Sequence, residues 1–273
     1  MSVWLPGAPC TPRACVEAAA PDGALLAAVP RAAARLTGVA LLVLAGTLLS
    51  PLGTRIPAGA VRAWSRAVVR AAGVRIRTRG AAAPAGGLLL VANHISWLDV
   101  PLLAAVRPAR MLAKAEIRRW PLAGALAARG GVLFIERDRL RALPGTVGRI
   151  AGELRAGRAV AVFPEGSTWC GRDQGRFRRA VFQAALDAGA PVQPVRIRYR
   201  APGGAASTRP AFVGDDPLLA SLWRVATARG LMAEVEVLPV IEPGAHPDRR
   251  RLAAEAGARV RGARTGEETS CRR

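Results

Sequence analysis

GLLLVANHISWLDV, residues 87–100, joins an unbroken apolar run to the chain's only asparagine, one of its two histidines and an aspartate five places after that histidine. Five apolar residues in a row, opened by glycine, mark a strand buried on both faces, and such strands belong to parallel sheets covered by helices. Asp99 and Pro101 then fit a helix start. Proline is tolerated in the first turn and biases Val100 away from helical angles. The stretch therefore predicts a strand, a turn and a helix, with His94 in the turn.

Two readings of that turn stand side by side. On a regular helix five residues rotate through about 500°, which would point His94 and Asp99 apart. They form a pair only if the chain bends between them. An aspartate that accepts from one imidazole nitrogen fixes the tautomer and leaves the other nitrogen to take a proton. Alternatively Ser96 and Asp99 form an S-x-x-D capping box and His94 is a bystander. The spacing does not choose between them.

Outward from this stretch, short apolar runs alternate with helical periods. VRIRTR, RMLAK, VLFIER, AVAVFP, VQPVRIRY and AEVEVLPVI read as strands. Helices are predicted from about Asp99, over PLAGALAARG closed by Gly130, over LRALPGTVGRIAGELRAG with an interruption near Pro144, over FRRAVFQAALDAG closed by Gly189, over DPLLASLWRVATARG, and over DRRRLAAEAGARVRGA. The pattern argues for an α/β fold, an open and mostly parallel sheet covered by helices, across residues 73–264. Residues 1–30 show no clear period and read as a mobile leader, and residues 265–273 as a frayed tail.

Residues 31–72 differ. LTGVALLVLAGTLLSPL, Leu36–Leu52, is an uncharged run of 17 residues, close to the about 20 needed to cross a bilayer. VRAWSRAVVRAAG follows as a basic amphipathic helix with Trp64 as an interfacial anchor. Arg55, Arg62, Arg66, Arg70, Arg75, Arg77 and Arg79 follow the apolar run with no acid among them. By the positive-inside rule they place the remainder in the cytoplasm, on an inner, cytoplasmic membrane. Arg31 and Arg35 on the other flank weaken a full crossing and leave room for a helix that dips into one leaflet.

Composition narrows the partners. Half of the 273 residues are apolar and the net charge is +21, with a pI near 11.8 and a mean hydropathy of +0.20. Such a balance draws a chain to anionic surfaces, membrane or nucleic acid. Few aromatics are present for base stacking, so an anionic membrane is the expected partner and nucleic acid is not. A basic binding protein without catalysis is the alternative of a different class. The four cysteines, Cys10, Cys15, Cys170 and Cys271, contain no CxxC pair. With two histidines they suggest no zinc framework and no disulfide scaffold, and no metal is expected.

Ligands of open α/β sheets bind beyond the carboxyl ends of the strands. His94, Arg137 and Glu165 each follow a predicted strand and converge on that edge. FPEGST, Phe163–Thr168, contains a tight turn in which backbone donors around Gly166 and Ser167 suit an anion, with Glu165 as a polar anchor. A plain strand-to-loop turn is the simpler reading of that string alone. Arg137 offers a fork for a phosphate or carboxylate. Lys114 is the only lysine in a chain whose other basic residues are arginine.

Taken together, these strings resemble the phospholipid/glycerol acyltransferase family, in particular the 1-acylglycerol-3-phosphate (lysophosphatidic acid) acyltransferases. The blocks are N-H-x-x-x-x-D at Asn93, His94 and Asp99; G-x-x-F-I-x-R at Gly131, Phe134, Ile135 and Arg137; FPEGS at Phe163–Ser167; and APVQPV at Ala190–Val195, with Lys114 in a segment before a W-P-x-x-G pattern. The resemblance covers about residues 75–242. It implies acyl transfer from acyl-CoA or acyl carrier protein to the hydroxyl of lysophosphatidic acid, a membrane lipid acceptor. It also implies His94 as base, Asp99 as its orienter and Asn93 bracing the turn. Asn93, Lys114, Arg137, Glu165, Gly166 and Ser167 fall on the substrate side, and neither cofactor nor metal is implied. One departure stands out: the third block usually continues with arginine, and here Thr168 follows Ser167. Lyso-ornithine-lipid acyltransferases, whose acceptor carries no phosphate, also tend to lack it, which makes transfer to lyso-ornithine lipid the alternative.

Overall fold

The computed structural model describes residues 7–17, 25–83, 85–119, 123–136 and 139–262. A short helix α1 (Pro12–Cys15) is followed by the long helix α2 (Leu25–Leu49), a 3₁₀ turn over Ser50–Arg55 and helix α3 (Ala58–Ala71). Then come β1 (Arg75–Arg79), β2 (Leu88–Ala92), α4 (Asp99–Val106), β3 (Arg110–Lys114), α5 (Ala123–Arg129) and β4 (Leu133–Ile135). The chain continues through α6 (Leu143–Arg155), β5 (Ala159–Val162), α7 (Ala180–Ala188), β6 (Val192–Arg200), α8 (Leu218–Thr227), β7 (Met232–Val237) and α9 (Arg249–Arg261).

The strands form one seven-stranded sheet in the order β1-β7-β6-β2-β5-β3-β4. From β6 to β4 all neighbours are parallel. β7 runs antiparallel to β6, and β1 follows β7. The expected sheet is thus present, with two opposed strands at one side. β2 is wholly buried, as its apolar run requires. Leu88, Leu90 and Ala92 face one core with residues of α1, α3, α4 and α8. Leu89 and Val91 face a second core with α6, α7 and α9. Burying both faces explains why no polar residue interrupts the strand.

Pro194 lies inside β6, where a missing N–H breaks a ladder rung. Leu238 donates its N–H to the Pro194 carbonyl at 3.0 Å. The return bond, which proline cannot make, is supplied one residue earlier: the side-chain Nε2 of Gln193 donates to the Leu238 carbonyl. The QP pair of the APVQPV block is thereby a local repair of the sheet.

Several expectations change. The described part of the leader is packed: Cys10 and Cys15 belong to the first core, and Glu17 accepts the Thr208 N–H at 2.9 Å. α2 begins at Leu25, ahead of the segment 31–72 in which the membrane-associated helices were expected, and carries Pro30 within it. Pro144 stands in the first turn of α6 and starts that helix instead of interrupting it, since an N-terminal proline forfeits no helical bond. Val100 is helical although Pro101 follows it. The tail 265–273 and Arg137 lie outside the described residues.

α2 and α3 fold back on each other through the 3₁₀ turn. Trp64 donates its indole N–H to the Leu42 carbonyl at 2.9 Å, and its ring lies so close to Gly46 that a Cβ there would come within 2.7 Å. Residues 28–53 are long and apolar enough to cross a membrane, and only 11% of their most apolar window is buried. Leu48 is 70% exposed, and Leu41, Leu49 and Leu52 are exposed with it. This helix is not a core helix. Its first turns are nevertheless tied to the domain. Arg35 donates to the carbonyls of Ala226 and Ala228 at 2.9 and 2.6 Å, and Arg31 to Thr227 at 3.1 Å. These are the C-terminal carbonyls of α8, where the helix dipole favours a cation. Both ends of the hairpin therefore join the same side of the molecule.

Replacing Arg35 by methionine keeps the apolar stem and removes both bonds. Stability should fall by about 1–3 kcal/mol, measured by thermal unfolding in detergent micelles. A change within about 0.5 kcal/mol, typical of an ordinary surface substitution, would show that the hairpin is not held there.

Candidate active site

β6 runs past the end of β2, because Ala92 pairs with Val195 while β6 continues to Arg200. Asn93 fills the next rung with its side chain. Its Nδ2 donates to the Ile197 carbonyl at 2.9 Å, and its Oδ1 accepts the Ile197 N–H at 2.8 Å. Both amide atoms are spent on backbone and the residue is buried, so Asn93 braces the turn and does not face a substrate.

Residues 93–96 are not helical, and the chain bends before α4 begins at Asp99. The bend removes the 500° obstacle. Asp99 is fully buried, and its Oδ2 accepts the N–H of Ile95 at 2.6 Å and of Ser96 at 2.8 Å, and meets His94 Nδ1 at 2.9 Å. Half of the capping box exists, in the Ser96 N–H bond. Ser96 Oγ accepts instead from Leu98, at 3.3 Å. The two readings of the sequence turn out to be one arrangement, with the cap and the histidine sharing one carboxylate oxygen.

The other oxygen of Asp99 accepts the hydroxyl of Tyr199 at 2.6 Å. Tyr199 is the only tyrosine of the chain and lies on the overhanging end of β6. Burial, then the charge of Asp99 and the bond to it, push its phenol well above the ordinary value. It stays protonated and keeps donating. Sequence reasoning missed this residue, since it stands 100 places from Asp99 and in none of the blocks. Its solitary occurrence at the end of a strand was the signal available.

The His94 ring stacks on Phe163, with centroids 3.9 Å apart and planes 9° from parallel. Phe163 opens the FPEGS turn, so β2 and β5 each supply one of the two rings. With Nδ1 engaged by Asp99, the ring carries its hydrogen there and Nε2 is the nitrogen left with a lone pair. The His94 side chain is 21% exposed while Asp99 is 0%. That is the arrangement a proton acceptor needs: an oriented ring at the surface on a buried, hydrogen-bonded anion.

Glu165 does not stand on the substrate side as expected. It is 3% exposed. Its Oε2 accepts the His94 N–H at 2.7 Å and its Oε1 the Gly175 N–H at 2.9 Å. The Trp169 N–H adds a bond to the His94 carbonyl at 2.8 Å. Glu165 therefore laces the loop after β5 to the turn after β2. Burial pushes its carboxyl up to about 8 against the lowering effect of the two N–H bonds, and the nearby Asp99 charge adds to the rise. Gly166 adopts φ +76° and its N–H closes on the Phe163 carbonyl at 3.1 Å, which makes the tight turn. Ser167 and Thr168 are half-buried beside it. Lys114 is exposed at the carboxyl end of β3, on the same sheet edge.

A family model described as Acyltransferase matches residues 73–198. A lyso-ornithine lipid O-acyltransferase of Pseudomonas aeruginosa is 39% identical over 222 residues, 80% of this chain and 81% of that one. This chain belongs to the acyltransferase family. A 1-acyl-sn-glycerol-3-phosphate acyltransferase of Neisseria gonorrhoeae is 36% identical over 61% of this chain and 65% of its own. A lyso-ornithine lipid O-acyltransferase of Rhodobacter capsulatus is 33% identical over 86% of this chain and 91% of its own. The crystal structure of the 1-acyl-sn-glycerophosphate acyltransferase PlsC of Thermotoga maritima superposes with a TM-score of 0.62, covering 86% of this chain and 95% of that one, at 16% identity. It shares the fold. The chain is thus an acyltransferase of the lysophospholipid family, and the ordered sequence blocks are accounted for.

In this acyltransferase Glu165→Gln puts an NH₂ group opposite one of two N–H donors. Unfolding in urea at about pH 5 should show a loss of about 1–3 kcal/mol. Wild-type Glu165 holds a proton in the folded state up to about 8, whereas its ordinary value is 4.5. The unfolded chain binds fewer protons in that window, so this group's contribution to stability declines as pH rises from about 4.5 to about 8. The gap between wild type and variant should narrow over the same range. A gap that widens with pH would contradict the assignment.

Proposed function

We propose that this acyltransferase moves a fatty acyl group from a thioester donor, acyl-CoA or acyl carrier protein, to the hydroxyl of a lysolipid, with His94 as general base. The oriented His94–Asp99 couple at the exposed end of a buried strand carries the reading. Nε2 takes the proton of the lipid hydroxyl as its oxygen attacks the thioester carbonyl. The imidazolium is stabilised by Asp99, which Tyr199 and two backbone N–H groups hold in place. When the tetrahedral intermediate collapses, the C–S bond breaks and the proton passes from Nε2 to the departing sulfur. One ester forms and one thiol is released.

Thr168 favours lyso-ornithine lipid as the acceptor. It stands where the resembling family places an arginine, and its neighbour Trp169 bonds the His94 carbonyl, so this position adjoins the base. An N-acylated ornithine presents one carboxylate and one ammonium instead of a phosphate, and a neutral residue here suits it. Relatives named for lyso-ornithine lipid also align over more of the chain than the Neisseria relative named for the phosphate acceptor. Lysophosphatidic acid, converted to phosphatidic acid, is the second reading, favoured by the blocks around Gly131 and FPEGS and by Lys114 on the same edge. The α2–α3 hairpin enters one leaflet of the cytoplasmic membrane from the domain's side, Leu48, Leu49 and Leu52 leading. The arginines of α3 and β1 then meet anionic headgroups from the cytoplasm.

His94→Ala should lower kcat by about 10²–10⁴ while the thermal unfolding curve stays within about 1 kcal/mol of wild type. Near-normal turnover in the folded variant would end the general-base reading. For the acceptor, purified protein is offered lyso-ornithine lipid, lysophosphatidic acid and other lysolipids with acyl-CoA or acylated carrier protein, and products are followed by mass spectrometry. Lyso-ornithine lipid should have the highest kcat/KM, and Thr168→Arg should shift the ratio toward lysophosphatidic acid by about tenfold, the effect of one charge-assisted hydrogen bond. Preference of the wild type for lysophosphatidic acid would reverse the choice.

A further inference from the structure

Three of the chain's four cysteines meet in space although nothing in their spacing announces it. Cys10 precedes α1, Cys15 ends it, and Cys170 lies in the loop after β5. Their three Sγ atoms all lie within 4.8 Å of one another. They are 2%, 4% and 0% exposed. The sequence expectation of no metal-ligating set rested on the lack of a CxxC pair, and the fold assembles one by a different route.

We propose that Cys10, Cys15 and Cys170 form a structural thiolate site for a thiophilic divalent cation of the zinc type, fastening the N-terminal segment to the loop beside His94. Zinc–sulfur bonds of about 2.3 Å at tetrahedral angles set sulfurs about 3.8 Å apart. Thiols already within 4.8 Å reach that spacing by small side-chain rotations. A buried cysteine by itself behaves as a small apolar residue, and that accounts for burial but not for convergence. Two of these residues come from one short segment and the third from a loop more than 150 positions later, in a chain with only four cysteines. The set holds three soft donors, which favour zinc over oxygen-seeking cations. A fourth position falls to water or a chain oxygen. With no exposed face, the site is structural and not catalytic.

Binding replaces three S–H bonds by three metal–sulfur bonds and releases three protons. The metal neutralises two of the three thiolate charges. The remaining negative charge is tolerable in a chain of net charge +21.

The location gives the site its consequence. Glu17 already ties the segment to the loop after β6, accepting from Ser207 Oγ at 3.0 Å and the Thr208 N–H at 2.9 Å while its own N–H donates to Thr208 Oγ1 at 3.0 Å. Cys170 directly follows Trp169, whose N–H holds the His94 carbonyl. Gly171, at φ +90°, packs so close to Ile95 that a Cβ there would lie 3.1 Å from its Cδ1. A cation on the three sulfurs would join the segment to the loop that braces the base.

The test uses the full chain, purified in detergent with a thiol reductant and no chelator. Metal content is measured by plasma mass spectrometry, and the metal-stripped protein is titrated with Co²⁺, then Zn²⁺. The site predicts one equivalent of tightly held zinc and thiolate-to-cobalt charge-transfer absorption that zinc displaces. It also predicts about three protons released per zinc, read by calorimetry in buffers of different ionisation enthalpy. Cys10→Ala, Cys15→Ala and Cys170→Ala should each weaken zinc binding by about 100-fold or more, and Cys271→Ala should leave it unchanged. The wild-type spectrum stands whether or not the variants fold. Absence of charge-transfer absorption from reduced wild type, equal zinc affinity in Cys170→Ala, or a disulfide joining two of the three in the isolated protein would each overturn the proposal.

Discussion

A carboxylate with no exposed surface is tolerable only if its lone pairs are filled, and Asp99 fills them from four directions. Two backbone N–H groups belong to the bend after β2, one ring nitrogen to His94 and one hydroxyl to the far end of β6. Each donor is fixed by a different piece of the fold. The bend requires β2 to stop at Ala92, the hydroxyl requires β6 to overrun it, and the ring requires Phe163 beneath it. Removing the side chain would unpair all four at once. The site's geometry and the local stability of the sheet edge are therefore the same set of bonds.

Glu165 shows a different use of the same physics. It too is a buried carboxylate, but it collects only two backbone donors and lies near the charge of Asp99. Burial outweighs those donors, and the carboxyl is pushed up to about 8. Two buried acids within one site thus differ in the number of donors around them. The better-served one holds the ring, and the poorly served one holds the loop that carries Phe163 and Trp169.

Much of this was legible in the sequence, for identifiable reasons. β2 and β5 were readable because strands buried on both faces need continuous apolar runs, β6 because its second half alternates apolar with arginine, and Gly189 marked the end of α7 because a left-handed residue closes it there. The His94–Asp99 spacing was legible as a question only, because it has two local solutions and the fold combines the pair with half of the cap. What stayed hidden depends on contacts between distant positions. Tyr199 reaches Asp99 only because two strands differ in length. The direction of β7 is set by its pairing with β6, and an alternating strand looks the same either way round. Asn93 and Glu165 looked like substrate contacts because a polar residue in a block of polar residues does not disclose that its partners are backbone. The packing of residues 7–17 was invisible because a segment without a period can still dock by a few side chains.

The hairpin and the site are mechanically one body. Arg66 of α3 donates to the Ala105 carbonyl of α4 at 3.2 Å, and α4 is the helix whose first residue is Asp99. Val69 of α3 and Ala72 at its C-cap share the core with Leu98, Leu102 and Leu103 around α4. The apolar tip at Leu48 and Leu49 is thus joined to Asp99 through packed helices and not through a linker. For a base acting on a lipid hydroxyl this is an energetic matter. A lipid that stays in its leaflet presents its hydroxyl at a nearly fixed depth, and lifting it out exposes about 0.8 kcal/mol of hydrocarbon per methylene. On the function proposed above, a rigid connection from the apolar tip to His94 would set that depth once, when the helices pack, and each turnover would proceed without lifting the chain into water.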